Sequence, residues 1–267
     1  MGVLGVRKLE IPEHEKDQSI QRWVYNVLRR NIVALRLAPA EPISENEVSD
    51  ALDVSRTPVR EAFIRLAEEG LVKITPQKHT VVSPINLQQA EEARFIRCAI
   101  EKAVWKEASG SLPGAVKAEL RACIGRQILC RKAMAYDQMA ADDDAFHRAL
   151  FRACGKEQSW HYVQKLDYNF DRLRVLTLPH SIAQIISEHQ QILKAITEGR
   201  IERIDALVDE HTSLKAIGAA IRDSPREYFQ GHPAQGFDVS ESGRRTAAGK
   251  ERKGGLGIGT VRLQTSE

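Results

Sequence analysis

Three histidines and a carboxylate stand where their helices call for apolar side chains. Over 138–154 the inward positions are Asp143, His147 and Leu150, with Asp143 and His147 one turn apart on one face. Over 181–198 they are Ile182, Ile185, His189, Ile192 and Ile196, and over 201–222 Ile204, Leu207, His211 and Leu214. A lone inward histidine is most simply a hydrogen-bonded core residue. Three of them on different helices, with a carboxylate beside one, would leave costly unsatisfied groups unless they share a partner. A divalent cation satisfies all four at once. Neutral imidazoles with one carboxylate suit zinc first, then nickel, manganese or iron, and leave positions open for water or a ligand.

A second constellation lies in Ser55 to Gly70, SRTPVREAFIRLAEEG, which reads as one punctuated helix. Ser55 and Thr57 are cap-type residues, Pro58 suits a first turn, and Gly70 suits the left-handed position past the end. Val59, Phe63 and Leu66 recur at helical spacing and face a core. Arg56 and Arg60 fall on the first polar turns, where a guanidinium can grip a phosphate or the O6/N7 edge of a guanine.

The elements that must position these residues follow from punctuation and period. At 267 residues the chain has room for two modest domains, and with 42% hydrophobic but only 6% aromatic residues it is expected to be mainly α. A helix over 18–37 buries Ile20, Trp23, Val24, Val27, Ile32 and Leu35, and Ala38 to Pro42 ends it. Ser44 to Glu47 matches a capping box and opens a short helix to Leu52; Asp53-Val54 turns the chain. Leu71–Thr75 and Thr80–Val82 read as a hairpin around Pro76 to His79. After Ser83 to Asn86 everything reads as helix: 87–109, 114–135, 138–154, 157–176, 181–198 and 201–222. Gly110, Gly155, Gly199, Pro113 and Pro179 are the breaks between them. Short connections make that an antiparallel bundle.

Charge does not announce a nucleic-acid binder. Residues 1–83 hold 12 basic and 12 acidic side chains, so any grip on DNA must be local, at Arg56, Arg60, Arg65, Lys73 and Lys78. No run of 18 apolar residues suggests a membrane span, and the N-terminus lacks the apolar core of a signal peptide. Cys98, Cys123, Cys130 and Cys154 form no C-x-x-C pair and read as reduced core thiols of a cytoplasmic protein.

Ile43 to Pro84, ISENEVSDALDVSRTPVREAFIRLAEEGLVKITPQKHTVVSP, resembles the winged helix-turn-helix of the GntR family. That resemblance implies DNA contacts from Ser55, Arg56, Thr57 and Arg60 in the recognition helix, and from Asn46, Lys78 and His79 beside it. Relatives often carry arginine where Asn46 stands, and usually glycine where Asp53 and His79 stand. DDDAFHRALFRACG, SEHQQILKAI and DEHTSLKAI are similar to the FCD effector-binding domain of the FadR-type branch, and six helices suit its VanR-like variant. This second resemblance implies that Asp143, His147, His189 and His211 bind metal, and that the metal helps hold a small organic acid. Arg97 is a candidate clamp for the effector carboxylate, or a structural partner of Glu101 one turn on; Arg174 is a further candidate. Asp142 and Asp144 are expected to point off the Asp143 face into solvent.

The expected organisation is a flexible arm at 1–17, a winged helix-turn-helix at 18–83, a linker at 84–86 and an all-α effector and dimerisation domain at 87–230. Residues 231–267, with 8 of the 17 glycines and no apolar period, read as a disordered tail. The expected function is a cytoplasmic, ligand-responsive repressor that binds a pseudo-palindromic operator as a homodimer. A metalloenzyme with a DNA-binding appendage is the alternative from another class, but no H-E-x-x-H base, nucleophile elbow or Gly-rich phosphate loop supports it. A constitutive DNA binder with a structural metal is the third reading.

Overall fold

The computed structural model describes residues 9–75, 79–166, 168–213 and 216–230. The N-terminal unit comprises α1 (Ile20–Val33), β1 (Pro42–Ile43), α2 (Glu45–Leu52), α3 (Arg56–Glu68), β2 (Val72–Thr75) and β3 (His79–Val82). The strands form an antiparallel sheet in the order β1-β3-β2, with Val72 opposite Val82 and Ile43 opposite Thr80. Val24, Val27, Leu28 and Ile32 of α1 pack on Val48 of α2 and on Val59, Phe63 and Leu66 of α3. This apolar stripe gives the three helices one shared core. Asp53 takes the left-handed conformation at φ 51 that the turn between α2 and α3 requires, and Gly70 does the same at φ 74 after α3.

Three local expectations are corrected here. The first helix stops at Val33 rather than Leu37, because Leu35 turns left-handed at φ 58, and Ile20 lies exposed before the buried stripe begins. Ser44 makes no side-chain cap bond, so the capping box does not form; Glu45 instead faces Arg60. Residues 9–12 of the expected loose arm are tied down. Asn31, buried on α1, exchanges two 2.9 Å hydrogen bonds with the Glu10 backbone, and the Trp23 indole donates to the Pro12 carbonyl at 3.0 Å.

The C-terminal unit has seven α-helices among the described residues, where six were expected: α4 (Leu87–Ala108), α5 (Gly114–Ala133), α6 (Tyr136–Ala153), α7 (Glu157–Leu166), α8 (Tyr168–Thr197), α9 (Ile204–His211) and α10 (Ile217–Asp223). The expected helices at 157–176 and 181–198 are repartitioned, because α8 runs straight through Pro179. Proline in a helix interior costs roughly 3 kcal/mol. Here Pro179 lies exposed, while Phe170, Leu173, Leu178, Ile182 and Ile186 stay buried along the helix. The expected helix at 201–222 divides after His211, where the Thr212 hydroxyl donates to the Val208 carbonyl at 2.8 Å. Leu214, assigned inward from sequence, lies outside the described residues.

The segment expected to be a plain linker is built into the fold. Ile85–Asn86 is a strand, β4, paired in parallel with β5 (Phe229–Gln230), and Asn86 caps α4 by accepting from the Gln89 N–H. Arg172 of α8, almost wholly buried, donates to the carbonyls of Ser83 at 2.6 Å and Pro84 at 3.3 Å. Arg172→Ala strands both acceptors, and each unmade buried bond costs about 1–3 kcal/mol. Urea unfolding is therefore expected to show about 2–6 kcal/mol lower stability. An unchanged midpoint and slope would remove Arg172 from this role.

Candidate metal centre and nucleic-acid interface

The α6, α8 and α9 helices bring Asp143, His147, His189 and His211 together, one ligand atom of each lying within 4.8 Å of every other. The approach follows from helix period: Asp143 and His147 are one turn apart on α6, and the apolar stripes of α8 and α9 turn His189 and His211 to the same core. His147 and His189 are fully buried and Asp143 nearly so.

Each histidine has its Nδ1 against an acceptor. His147 Nδ1 lies 2.8 Å from Glu101 Oε1, His189 Nδ1 is 2.8 Å from Gln127 Oε1, and His211 Nδ1 is 2.9 Å from Glu188 Oε2. For His211 the carboxylate partner only accepts, which assigns its imidazole proton to Nδ1 and leaves a lone pair on Nε2, and the Gln127 oxygen does the same for His189. His147 Nδ1, by contrast, lies close to Glu101 without a hydrogen bond. Those Nε2 atoms then face one another. His147 Nε2 and His211 Nε2 are 3.1 Å apart, and His189 Nε2 lies 3.3 Å from Asp143 Oδ1 with no hydrogen-bond partner. One proton shared between the His147 and His211 Nε2 atoms satisfies that pair, but His189 Nε2 stays unpartnered beside Asp143, and a cation would take the lone pairs of all of them at once. The residues therefore fit a divalent metal, and their outer partners are of the kind that orients metal-binding histidines.

Electrostatics favours the ligating protonation states. Burial pushes His147 and His189 below the usual imidazole range, His189 furthest, so both stay neutral at pH 7. For Asp143, burial raises the carboxyl, but Arg174 and the three imidazoles outweigh it and hold it well below the usual range. Glu101 behaves alike, its burial outweighed by Arg97 and His147.

A cavity of about 60 Å³ opens beside the cluster, several times the roughly 10–15 Å³ that one water needs. Asp143 and His211 form part of its wall, with Arg97, Arg174, Ser181 and Gln184. Of the two arginines singled out from sequence, Arg174 is the more intimately placed. It ion-pairs with Asp143 and also reaches Asp144 at 3.3 Å and Asp171 at 3.0 Å. Arg97 lines the same cavity while its Nε donates to Glu101 Oε1 at 2.7 Å, so the structural pairing weighed from sequence is present. Asp142 is a correction: it is buried, not solvated, because α5 packs along α6 and brings Arg126 Nε within 2.6 Å of it. Asp144 is half-exposed and paired with Arg174.

Sequence reasoning passed over Gln127 and Glu188. Gln127 sits fully buried in the α5 stripe with Leu120, Cys123, Ile124 and Cys130. It is a polar residue at an apolar position, the same signal that marked the histidines. The four cysteines are free thiols, each pushed up by burial.

At the other end of the molecule, Ser55, Arg56, Thr57 and Arg60 are exposed on the first turns of α3, and Asn46 is exposed at the start of α2. Arg60 touches Glu45 only loosely, at 3.5 Å. His79 opens β3, exposed and opposite Thr75; Lys78 lies outside the described residues. Pro58, Val59, Phe63 and Leu66 are buried, so the core-facing side of α3 leaves the arginines to solvent. Among the described residues, no helix is long and apolar enough to cross a membrane.

Comparison with known proteins identifies both units. Residues 20–82 match the bacterial regulatory proteins of the gntR family, and residues 92–214 match the FCD domain. The chain is 32% identical over 212 residues to the HTH-type transcriptional repressor RspR of Escherichia coli (strain K12), covering 79% of this chain and 92% of that one. It is 36% identical over 199 residues to an uncharacterized HTH-type transcriptional regulator in an unstable DNA locus of Streptomyces ambofaciens, covering 74% and 83%. In fold it resembles E. coli McbR/YncC, with TM-score 0.65 and 19% identity over 77% of this chain and 98% of that one. A putative GntR regulator from Rhodococcus sp. RHA1 gives TM-score 0.62 and 21% identity over 78% and 100%. With a helix-turn-helix unit that implies DNA binding and a helical unit that implies a small-molecule effector, the chain belongs to the GntR family as a transcription regulator carrying an FCD domain.

Proposed function

We propose that the chain is a cytoplasmic repressor that binds a pseudo-palindromic operator as a homodimer and releases it when a small organic acid binds over a metal ion. The N-terminal unit (18–83) would read DNA, and the helical unit (87–230) would sense the acid and dimerise. Asp143, His147, His189 and His211 would hold the metal, zinc ahead of nickel, manganese or iron. A bound divalent cation supplies open coordination positions to an anionic ligand. Arg174, and Arg97 behind it, would face the effector carboxylate across the cavity.

One observation carries the reading: α8 touches everything that must communicate. It holds His189 at the metal cluster, Arg174 at the cavity wall and Arg172 on the Ser83 and Pro84 carbonyls. Its first residue, Tyr168, packs on the N-terminal core and lies under Arg29 of α1 at 4.6 Å. A ligand that shifts Arg174 therefore acts on the helix that grips the DNA-binding unit, and a coupling of about 1–3 kcal/mol suffices for regulation. Exposed Phe95 and Ile96 on α4 support a second copy covering that helix. The name of the RspR relative supports repression as the sign.

Selection of duplexes from a randomised library tests the reading. The proposal expects an enriched site with two inverted half-sites, bound at least about a thousandfold more tightly than random duplex at physiological salt. Failure to enrich any sequence, or an enriched single half-site, would contradict it.

A further inference from the structure

We propose that Gln127 sets the tautomer and aim of His189, and so acts as a positioning residue for metal affinity; this rests on the metal reading above. Gln127 differs from the other outer partners in having two unlike ends. The other two outer partners, Glu101 and Glu188, are carboxylates and accept whichever way they turn. A glutamine amide does not share that property, because one end donates and the other accepts. If Gln127 were flipped, its NH₂ would face His189 Nδ1. The ring proton would then move to Nε2, where it blocks the position facing Asp143.

The fold fixes which end faces His189. Gln127 Nε2 donates to the backbone carbonyl of Asp142 at 3.2 Å, which fixes Oε1 toward His189 Nδ1 at 2.8 Å. That carbonyl belongs to the residue immediately before the metal-site carboxylate on α6. One amide therefore ties α5, the backbone beside Asp143, and His189 of α8 into a single hydrogen-bonded chain. Phe146 stacks on the His189 ring at 4.1 Å and 17°, holding its plane while Gln127 sets its rotation. The residue is fully buried, so no solvent competes for either end of the amide. An uncharged partner also spares the cluster a further buried carboxylate beside Asp143, Glu101 and Glu188.

The test uses the full chain, zinc ion and a competing chelator of known affinity. Gln127→Met keeps the volume and loses both bonds, and zinc affinity is expected to fall about 10–100-fold. Gln127→Glu keeps an acceptor for His189 Nδ1 and loses the donor to the Asp142 carbonyl, so its zinc affinity is expected to fall less than that of Gln127→Met. A merely structural role would lower the melting temperature of Gln127→Met without changing its zinc affinity, and that result overturns the proposal while leaving the metal reading intact. A parent that binds no divalent metal overturns the metal reading, and this inference with it. Side-chain ¹⁵N spectra of the chelated parent give an independent check that needs no variant to fold. They are expected to show the His189 proton on Nδ1; a proton on Nε2 would refute the proposal directly.

Discussion

His189→Ala is expected to release the metal and lower the melting temperature of the metal-loaded protein by at least roughly 8–16 °C. Two effects add. A ligand present at a thousandfold excess over its dissociation constant stabilises a protein by about 4 kcal/mol, and that contribution disappears with the metal. For a chain of this size each 1 kcal/mol shifts the midpoint by about 2–4 °C. The truncation also leaves a gap against Phe146, whose ring stacks on His189, and strands the Gln127 carbonyl oxygen. Comparing parent and variant with and without chelator separates these terms: the metal contribution vanishes from the parent on chelation, whereas the gap persists in the variant. Metal content after dialysis is the direct check. Equal content in parent and variant would exclude His189 as a ligand.

Arg60→Ala is expected to weaken operator binding without touching the fold. The side chain is 70% exposed, and its 3.5 Å contact with Glu45 is a surface pair of little energetic consequence. A bidentate arginine–guanine contact is worth about 1–3 kcal/mol, and a dimer on two half-sites loses it twice. The expected loss is thus about 2–6 kcal/mol, or roughly 30-fold to 10⁴-fold. Fluorescence anisotropy on the selected duplex reads it, with the melting temperature as control. Unchanged affinity would remove Arg60 from the interface, whereas a fallen melting temperature would mean that Glu45–Arg60 matters to the fold.

How much could be read from sequence depended on the range over which each feature is decided. The histidine positions were legible because helical period alone decides which face a residue occupies, and the structure brings the four chosen residues together. The turn at Asp53 and the stop at Gly70 were legible because backbone conformation there is a local matter. Pro179 was misread for the opposite reason. A local rule marks it as a break, but the burial of Leu173, Leu178, Ile182 and Ile186 along one stripe outweighs the local cost. Asp142 was misread because only the packing of α5 on α6 supplies Arg126 as its partner. Likewise, nothing along the chain links Arg172 to Ser83, or Phe229 to Ile85, so the tie between linker, α8 and C-terminal strand emerges only in three dimensions. Gln127 carries the same signal as the histidines, a polar residue at an apolar position of its helix.

The most direct test is the melting temperature of the metal-loaded protein against a panel of small mono- and dicarboxylates, each repeated with chelator. A metal-assisted cavity walled by Arg174 and Asp143 predicts that at least one acid raises the midpoint, and that chelation abolishes the rise. A rise that survives chelation would detach the effector from the metal. No rise for any acid in the metal-loaded protein would contradict the account of this cavity as a carboxylate sensor.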